Sequence, residues 1–101
     1  MKKTALSGIQ TTGCLHLGNY LGSIQNWLEM QDDYNCYFFL ANLHSITIER
    51  DPNELRAATL SAAATYLSSG INPKKSVIFA QSNVKEHTEL ASMLNCITPI
   101  G

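Results

Sequence analysis

The sequence predicts an α/β fold in which three strands alternate with three helices, in the order β-α-β-α-β-α. Two apolar runs, at residues 36–41 and 76–80, are too short for helices and are typical of buried strands, the first of them buried on both faces. Apolar residues in the intervening stretches recur at steps of three and four, which is the spacing of a helix face. Strands that alternate with helices pair in parallel, so these elements form one half of a doubly wound sheet.

The first strand and the first helix flank a loop of small and polar residues. Residues 4–9 fit a short strand, and a turn follows at residues 11–13. The helix after it is predicted to run to about Gln31. Apolar residues mark one face of this helix at Leu17, Leu21, Ile24 and Leu28.

The second helix has start and stop signals at both ends. Asp51 is a typical N-cap, Pro52 suits the first turn, and Gly70 is the residue type that commonly closes a helix in the left-handed conformation. Its predicted buried stripe consists of residues at helical spacing: Leu55, Ala58, Ala62, Tyr66 and Leu67.

The third helix is the last predicted element. Leu90, Leu94 and Ile97 share one side of it. Pro99 disfavours helical backbone at the residue before it, so the helix is predicted to end near Thr98.

The composition is that of one small folded domain. With 101 residues, 45% of them hydrophobic and 15% charged, the chain can bury a core and is not of the disordered type. A net charge of −1 argues against a strongly basic surface for nucleic acid on this stretch.

Cys14, Cys36 and Cys96 form no close pair, so we expect reduced thiols and no zinc site. The sequence shows no signal peptide and no apolar run of membrane-spanning length, so we expect a cytoplasmic location.

The loop after the first strand lies where nucleotide phosphates bind in such folds. Gly13 and Gly18 have the glycine spacing of a Walker A motif, but Asn19 and Tyr20 stand where that motif needs Lys and Ser or Thr. His16 can donate to a phosphate oxygen in a transition state, Gly18 leaves room for a flat base, and Asn19 can donate from its amide. The alternative is purely structural, with His16 packed at the helix entrance and glycine allowing close helix–strand contact.

Residues 12–20 read TGCLHLGNY and resemble the HIGH signature of class I aminoacyl-tRNA synthetases. The form with Asn in the last place, preceded by SGIQ at residues 7–10, resembles the tryptophan-specific members in particular. Further stretches match in order and spacing: YFFLANLHSIT at 37–47, DPNELR at 51–56, YLSSGINP at 66–73 and IFAQS at 78–82. The resemblance implies a Rossmann-like (HUP-type) fold in which residues 1–101 are the N-terminal half of the catalytic, ATP-binding domain.

The reaction that the resemblance implies is the ligation of L-tryptophan to tRNA(Trp). The carboxylate of tryptophan attacks the α-phosphate of ATP, which gives tryptophanyl-adenylate and pyrophosphate, and the acyl group then passes to the 3′ end of the tRNA. Mg²⁺ enters with ATP, and no metal held by protein ligands is expected. A homodimeric parent without membrane association is also implied, with most tRNA contacts outside this stretch.

The resemblance also implies a role for individual residues. His16 and Asn19 are implied as catalytic, holding phosphate oxygens as charge develops. ATP contacts are implied for Gln10, Thr11, Thr12, Gly18 and Asn19. Tryptophan contacts are implied for Leu6, Gly8, Ala41 and His44, with Leu6 replacing an aromatic residue often found there. For His44 the alternative is an ordinary loop histidine, and His87 is interpreted as a surface or capping group.

The second signature of the family, KMSKS, has no match here, since KKS at residues 74–76 lacks the Met-Ser core. We therefore expect an N-terminal fragment that lacks the rest of the catalytic domain and the anticodon-binding helical domain, and that is inactive or nearly so alone. Two alternatives stay open: a HIGH-type nucleotidyltransferase with a small-molecule acceptor, and a non-catalytic paralogue or binding module.

Overall fold

The sheet has three parallel strands in a computed structural model that describes residues 1–11, 18 and 20–100. They are β1 (Thr4–Gln10), β2 (Asn35–Ala41) and β3 (Ser76–Ala80), in the spatial order β1-β2-β3. All three predicted strands are confirmed, and β1 lies at an edge of the sheet as a half of a doubly wound fold requires.

Three α-helices follow the strands in the part of the chain that the structure describes. They are α1 (Gln25–Met30), which a π-helical turn at Tyr20–Ile24 precedes, α2 (Pro52–Ser68) and α3 (Lys85–Asn95). Short 3₁₀ turns at His44–Thr47 and Gln81–Asn83 follow β2 and β3. The predicted alternation of strands and helices is therefore confirmed. No helix among the described residues has the length and apolar character needed to span a bilayer.

The ends of α2 agree with their sequence signals. Asp51 has extended backbone and its Oδ1 accepts a hydrogen bond of 2.9 Å from the N–H of Asn53, so it caps the helix as predicted. Gly70 has φ +109°, a conformation that side chains rarely adopt, and this explains the glycine there.

The core lies on one face of the sheet, beneath α1 and α2. Trp27 of α1 stacks on Phe38 of β2 with ring centroids 4.5 Å apart, and Tyr66 of α2 meets Trp27 edge-on at 5.2 Å. Such aromatic pairs contribute about 0.5–1.5 kcal/mol each beyond the area they bury. The buried apolar residues are Ile24, Trp27, Cys36, Phe38, Leu40, Ala62, Tyr66 and Ile71.

The opposite face of the sheet, which we call the open face, is less covered. It carries residues at matched register on neighbouring strands: Leu6, Gly8, Gln10, Tyr37, Phe39, Ala41, Val77 and Phe79. Tyr37 is 40% exposed, so the prediction that the second strand is buried on both faces is wrong for this residue, and Leu6 beside it on β1 is 58% exposed. The reason is that the residues packed into the core from α1 and α2 all meet the face that carries Phe38.

One residue of the predicted buried stripe of α2 and the predicted apolar side of α3 are also exposed. Leu67 is 49% exposed and does not belong to the buried stripe of α2. Leu90 and Leu94 on α3 are 55% and 49% exposed, and Ile97 is 78% exposed beyond the end of the helix, which lies at Asn95 and not near Thr98 as predicted. Helical spacing identified the apolar side of α3 but could not show whether a neighbouring element covers it.

Candidate functional site

The carboxyl ends of the strands lie along one edge of the sheet because the strands run parallel. β1 ends at Gln10, and the register pairs Gln10 with Ala41 at the end of β2. In open parallel sheets, ligands bind outside this edge. We call it the carboxyl edge and define it as residues 10–11, 41–45 and 80–82.

Four predicted contact residues come together on the open face near this edge. Leu6, Gly8 and Gln10 alternate along β1, and Ala41 lies opposite Gln10. His44 begins the turn just after β2, and its side chain is exposed. The structure therefore places Leu6, Gly8 and Ala41 on one face of the sheet and His44 in the turn that follows β2.

Gly8 is required by its neighbour on β2. A Cβ at Gly8 would lie 2.6 Å from the ring of Phe39 and 2.7 Å from the Phe39 carbonyl oxygen. A side chain at this position would displace the ring or separate the strands. No sequence pattern had indicated that Phe39 is the apolar neighbour of Gly8.

Phe39 belongs to a group of three rings on the open face. Its centroid lies 6.0 Å from Phe79 and 6.2 Å from His87, and His87 lies 6.3 Å from Phe79. His87 is partly buried, so the interpretation of His87 as a surface or capping group is wrong. Its imidazole packs α3 against the sheet beside Gly8.

Thr11 and Ser45 form a buried pair of hydroxyls at the carboxyl edge. Each residue is 2% exposed, and Thr11 Oγ1 lies 2.9 Å from Ser45 Oγ. The hydroxyl of Thr11 is therefore engaged within the protein. The resemblance implies an ATP contact for Thr11, whereas no sequence pattern pointed to Ser45.

A series of hydrogen bonds continues from Ser45 to the end of β3. The N–H of Ser45 donates to the Asn42 carbonyl oxygen at 3.1 Å. Asn42 Nδ2 donates to Ser82 Oγ at 2.7 Å, and the N–H of Ser82 donates to Asn42 Oδ1 at 3.0 Å. The ends of all three strands are thus joined laterally. Polar residues directly after each parallel strand were the sequence signal for this arrangement.

The hydroxyl of Tyr66 bonds the backbone of β1 and of β2 from the core side of the sheet. Its hydroxyl accepts from the N–H of Ile9 at 3.2 Å and donates to the carbonyl oxygen of Phe39 at 3.1 Å. Burial raises the pKa of Tyr66 to about 12, so the hydroxyl stays protonated and keeps both bonds at neutral pH. Tyr66 therefore links β1 and β2 close to Gly8.

Most of the predicted phosphate-binding loop lies outside the residues that the structure describes. Thr12, His16 and Asn19 lie outside the described residues, and Gly18 is described as exposed. Among the described residues, no group of three or more His, Cys, Asp or Glu side chains could hold a metal ion.

Comparison with protein families adds independent information. The profile of the tRNA synthetases of class I (W and Y) matches residues 2–101. The tryptophan–tRNA ligase of Rickettsia prowazekii is 63% identical over 101 residues, which are 100% of this chain and 31% of the relative. That of Clostridium tetani is 49% identical over 100 residues, 99% of this chain and 30% of the relative.

Solved structures give the same result. A tryptophanyl-tRNA synthetase from Mycoplasma pneumoniae superposes with a TM-score of 0.93 at 37% identity, over 98% of this chain and 29% of that one. One from Campylobacter jejuni, complexed with ADP and tryptophan, has a TM-score of 0.86 at 43% identity, over 95% of this chain and 30% of that one. This chain therefore spans about 30% of the length of the proteins it matches.

Proposed function

This chain belongs to the class I tRNA synthetases (W and Y), and from that premise we propose that it is the N-terminal half of the catalytic, ATP-binding domain of a tryptophan–tRNA ligase. The observation that carries the proposal is the 63% sequence identity, over all 101 residues, to a rickettsial tryptophan–tRNA ligase. The complete polypeptide, meaning the ligase of which this chain is the N-terminal part, would add the rest of the catalytic domain and an anticodon-binding helical domain.

The complete polypeptide activates L-tryptophan with ATP and transfers it to the 3′ end of tRNA(Trp). Mg²⁺ enters with ATP as part of the substrate. The relative that was solved with ADP and tryptophan supports the assignment of both small substrates. The net charge of −1 agrees with tRNA contacts that lie mostly on other segments of a cytoplasmic homodimer.

The proposed contact residues fall into two groups, one for tryptophan and one for ATP. Leu6, Gly8, Ala41 and His44 line the tryptophan pocket, where the ring of Phe39 over Gly8 supplies apolar surface for an indole. ATP is held by Gln10, Thr11, Thr12, Gly18 and Asn19, with Thr11 acting through its backbone because its hydroxyl bonds Ser45. His16 and Asn19 donate to phosphate oxygens as negative charge develops.

The test is pyrophosphate exchange into ATP by the complete polypeptide with each amino acid in turn. We expect exchange with tryptophan and none with tyrosine. Exchange with another amino acid alone would overturn the specificity. Absence of exchange together with no ATP binding in titration calorimetry would favour a binding module, and ATP binding without amino-acid-dependent exchange would favour a nucleotidyltransferase with another acceptor. The 101-residue chain by itself should show little exchange, since too few donors would meet the transition state.

A further inference from the structure

The hydroxyl pair of Thr11 and Ser45 joins the two segments to which different substrates are assigned. Thr11 directly follows β1 and opens the segment proposed to hold ATP. Ser45 directly follows His44 in the turn after β2, which is proposed to contact tryptophan. The residues are 34 positions apart in the chain, so the 2.9 Å contact is a tertiary one.

The segment that carries Ser45 is itself held in place. The N–H of Ser45 donates to the Asn42 carbonyl oxygen, and Thr47 Oγ1 donates to the His44 carbonyl oxygen at 2.8 Å. The side chain of Asn42 is bonded to Ser82 in both directions. Ser45 is therefore held in a fixed place, and its hydroxyl can position Thr11.

Both hydroxyls are buried, so removal of only one of them is expected to destabilise the protein. Removing one hydroxyl leaves the other without this partner in a site that water does not reach. Removing both leaves two apolar groups facing each other, which can be nearly neutral. The pair is therefore suited to analysis by a double-mutant cycle.

We propose that Thr11 and Ser45 are a positioning pair. Their hydrogen bond sets the placement of the ATP-binding residues after β1 (the ATP segment) relative to the tryptophan-binding residues after β2 (the tryptophan segment) during adenylate formation. This inference rests on the function proposed above. Attack of a carboxylate on the α-phosphate requires the reacting atoms to approach within about 3–3.5 Å, and a misplacement of about 1 Å can cost roughly 100-fold in rate. Each substrate can still bind to its own segment when the two segments are misaligned.

The experiment measures kcat and both KM values of pyrophosphate exchange for variants of the complete polypeptide. We expect Ser45→Ala and Thr11→Val each to lower kcat by roughly 2- to 30-fold, the range for residues that couple two sites. The KM values for ATP and tryptophan should stay within about twofold of the wild-type values, because the contacts that bind each substrate in the ground state are kept. The double variant should be no slower than the slower single variant, and Thr11→Ser, which keeps the hydroxyl, should lose less kcat than Thr11→Val.

The matched control is Ser76→Ala at the opposite end of the sheet. Ser76 is also buried, at 4% exposure, and among the described residues its Oγ has no hydrogen-bond partner. This substitution should leave kcat unchanged. Thermal unfolding of every variant, followed by circular dichroism, sets an assay temperature at which each is fully folded, so that a loss of kcat does not report unfolding.

Other outcomes would overturn the positioning role. Unchanged kcat in both single variants, additive losses in the double variant, or a rise in one KM at constant kcat would each contradict it. If the wild type uses another amino acid, the specificity proposal fails, and the same variants test the pair with that amino acid. If no amino acid supports exchange, both proposals are wrong.

Discussion

At the scale of the residue, Tyr66 shows how one hydroxyl joins three elements. Its ring packs edge-on against Trp27 of α1, while its hydroxyl bonds the N–H of Ile9 and the carbonyl oxygen of Phe39. Phenylalanine would supply the same packing and neither bond. The tyrosine therefore contributes to the alignment of β1 with β2 beside Gly8, in addition to its part in the core.

We expect Tyr66→Phe to lower the free energy of unfolding of the complete polypeptide by about 1–3 kcal/mol, since two buried backbone groups lose a partner. Urea denaturation followed by fluorescence measures this value. A change smaller than the error of the measurement would show that the N–H of Ile9 and the carbonyl oxygen of Phe39 find other partners.

The pH dependence of unfolding provides the control for this substitution. Because the pKa of Tyr66 is raised from 10.0 to about 12 in the folded state, its contribution is complete below pH 10 and is lost as the pH rises through 12. The free energy of unfolding of the wild type should therefore fall more steeply over this interval than that of Tyr66→Phe. Parallel curves would contradict the assignment of the raised pKa to Tyr66.

At the scale of the element, α2 connects the carboxyl edge to the core. It begins beyond the turn that carries Ser45, with Asp51 as its cap, and it delivers Ala62 and Tyr66 to the buried face of the sheet. Sequence signals predicted both of its ends because capping is a local property of the backbone. The same locality explains the error at Leu67, whose exposure depends on elements distant in the chain.

We expect Asp51→Ala to destabilise the complete polypeptide by about 0.5–2 kcal/mol, because the N–H of Asn53 loses its acceptor. Asp51→Asn, which keeps the oxygen, should be close to the wild type in the same denaturation experiment. Glu49→Ala removes an equal charge just before the helix and should cost less than Asp51→Ala. Equal losses for Glu49 and Asp51 would mean that charge near the helix start, and not the capping bond, is responsible.

At the scale of the whole molecule, the order of elements and the family could be predicted from the sequence better than the contacts at the carboxyl edge. Periodicity and capping identified three strands and the bounds of α2, and the resemblance at residues 12–20 indicated the family that the profile match shows. The bond between Thr11 and Ser45 was missed because a pattern in one sequence does not reveal which polar groups meet across 34 residues. The ring of Phe39 over Gly8 was missed for the same reason, since it depends on strand register.

The exposed side of α3 has a consequence for the 101-residue chain studied alone. Leu90, Met93 and Leu94 lie on one side of the helix, Ile97 follows its end, and each is about half exposed or more. Contiguous apolar surface of this kind favours association in water.

We expect the isolated chain to associate as its concentration rises, as measured by sedimentation velocity. Leu94→Lys should reduce this association, whereas Ser92→Lys, which adds the same charge at an exposed polar position roughly opposite on the helix, should not. A monomer at all concentrations, or equal effects of the two substitutions, would show that this side of α3 does not drive association.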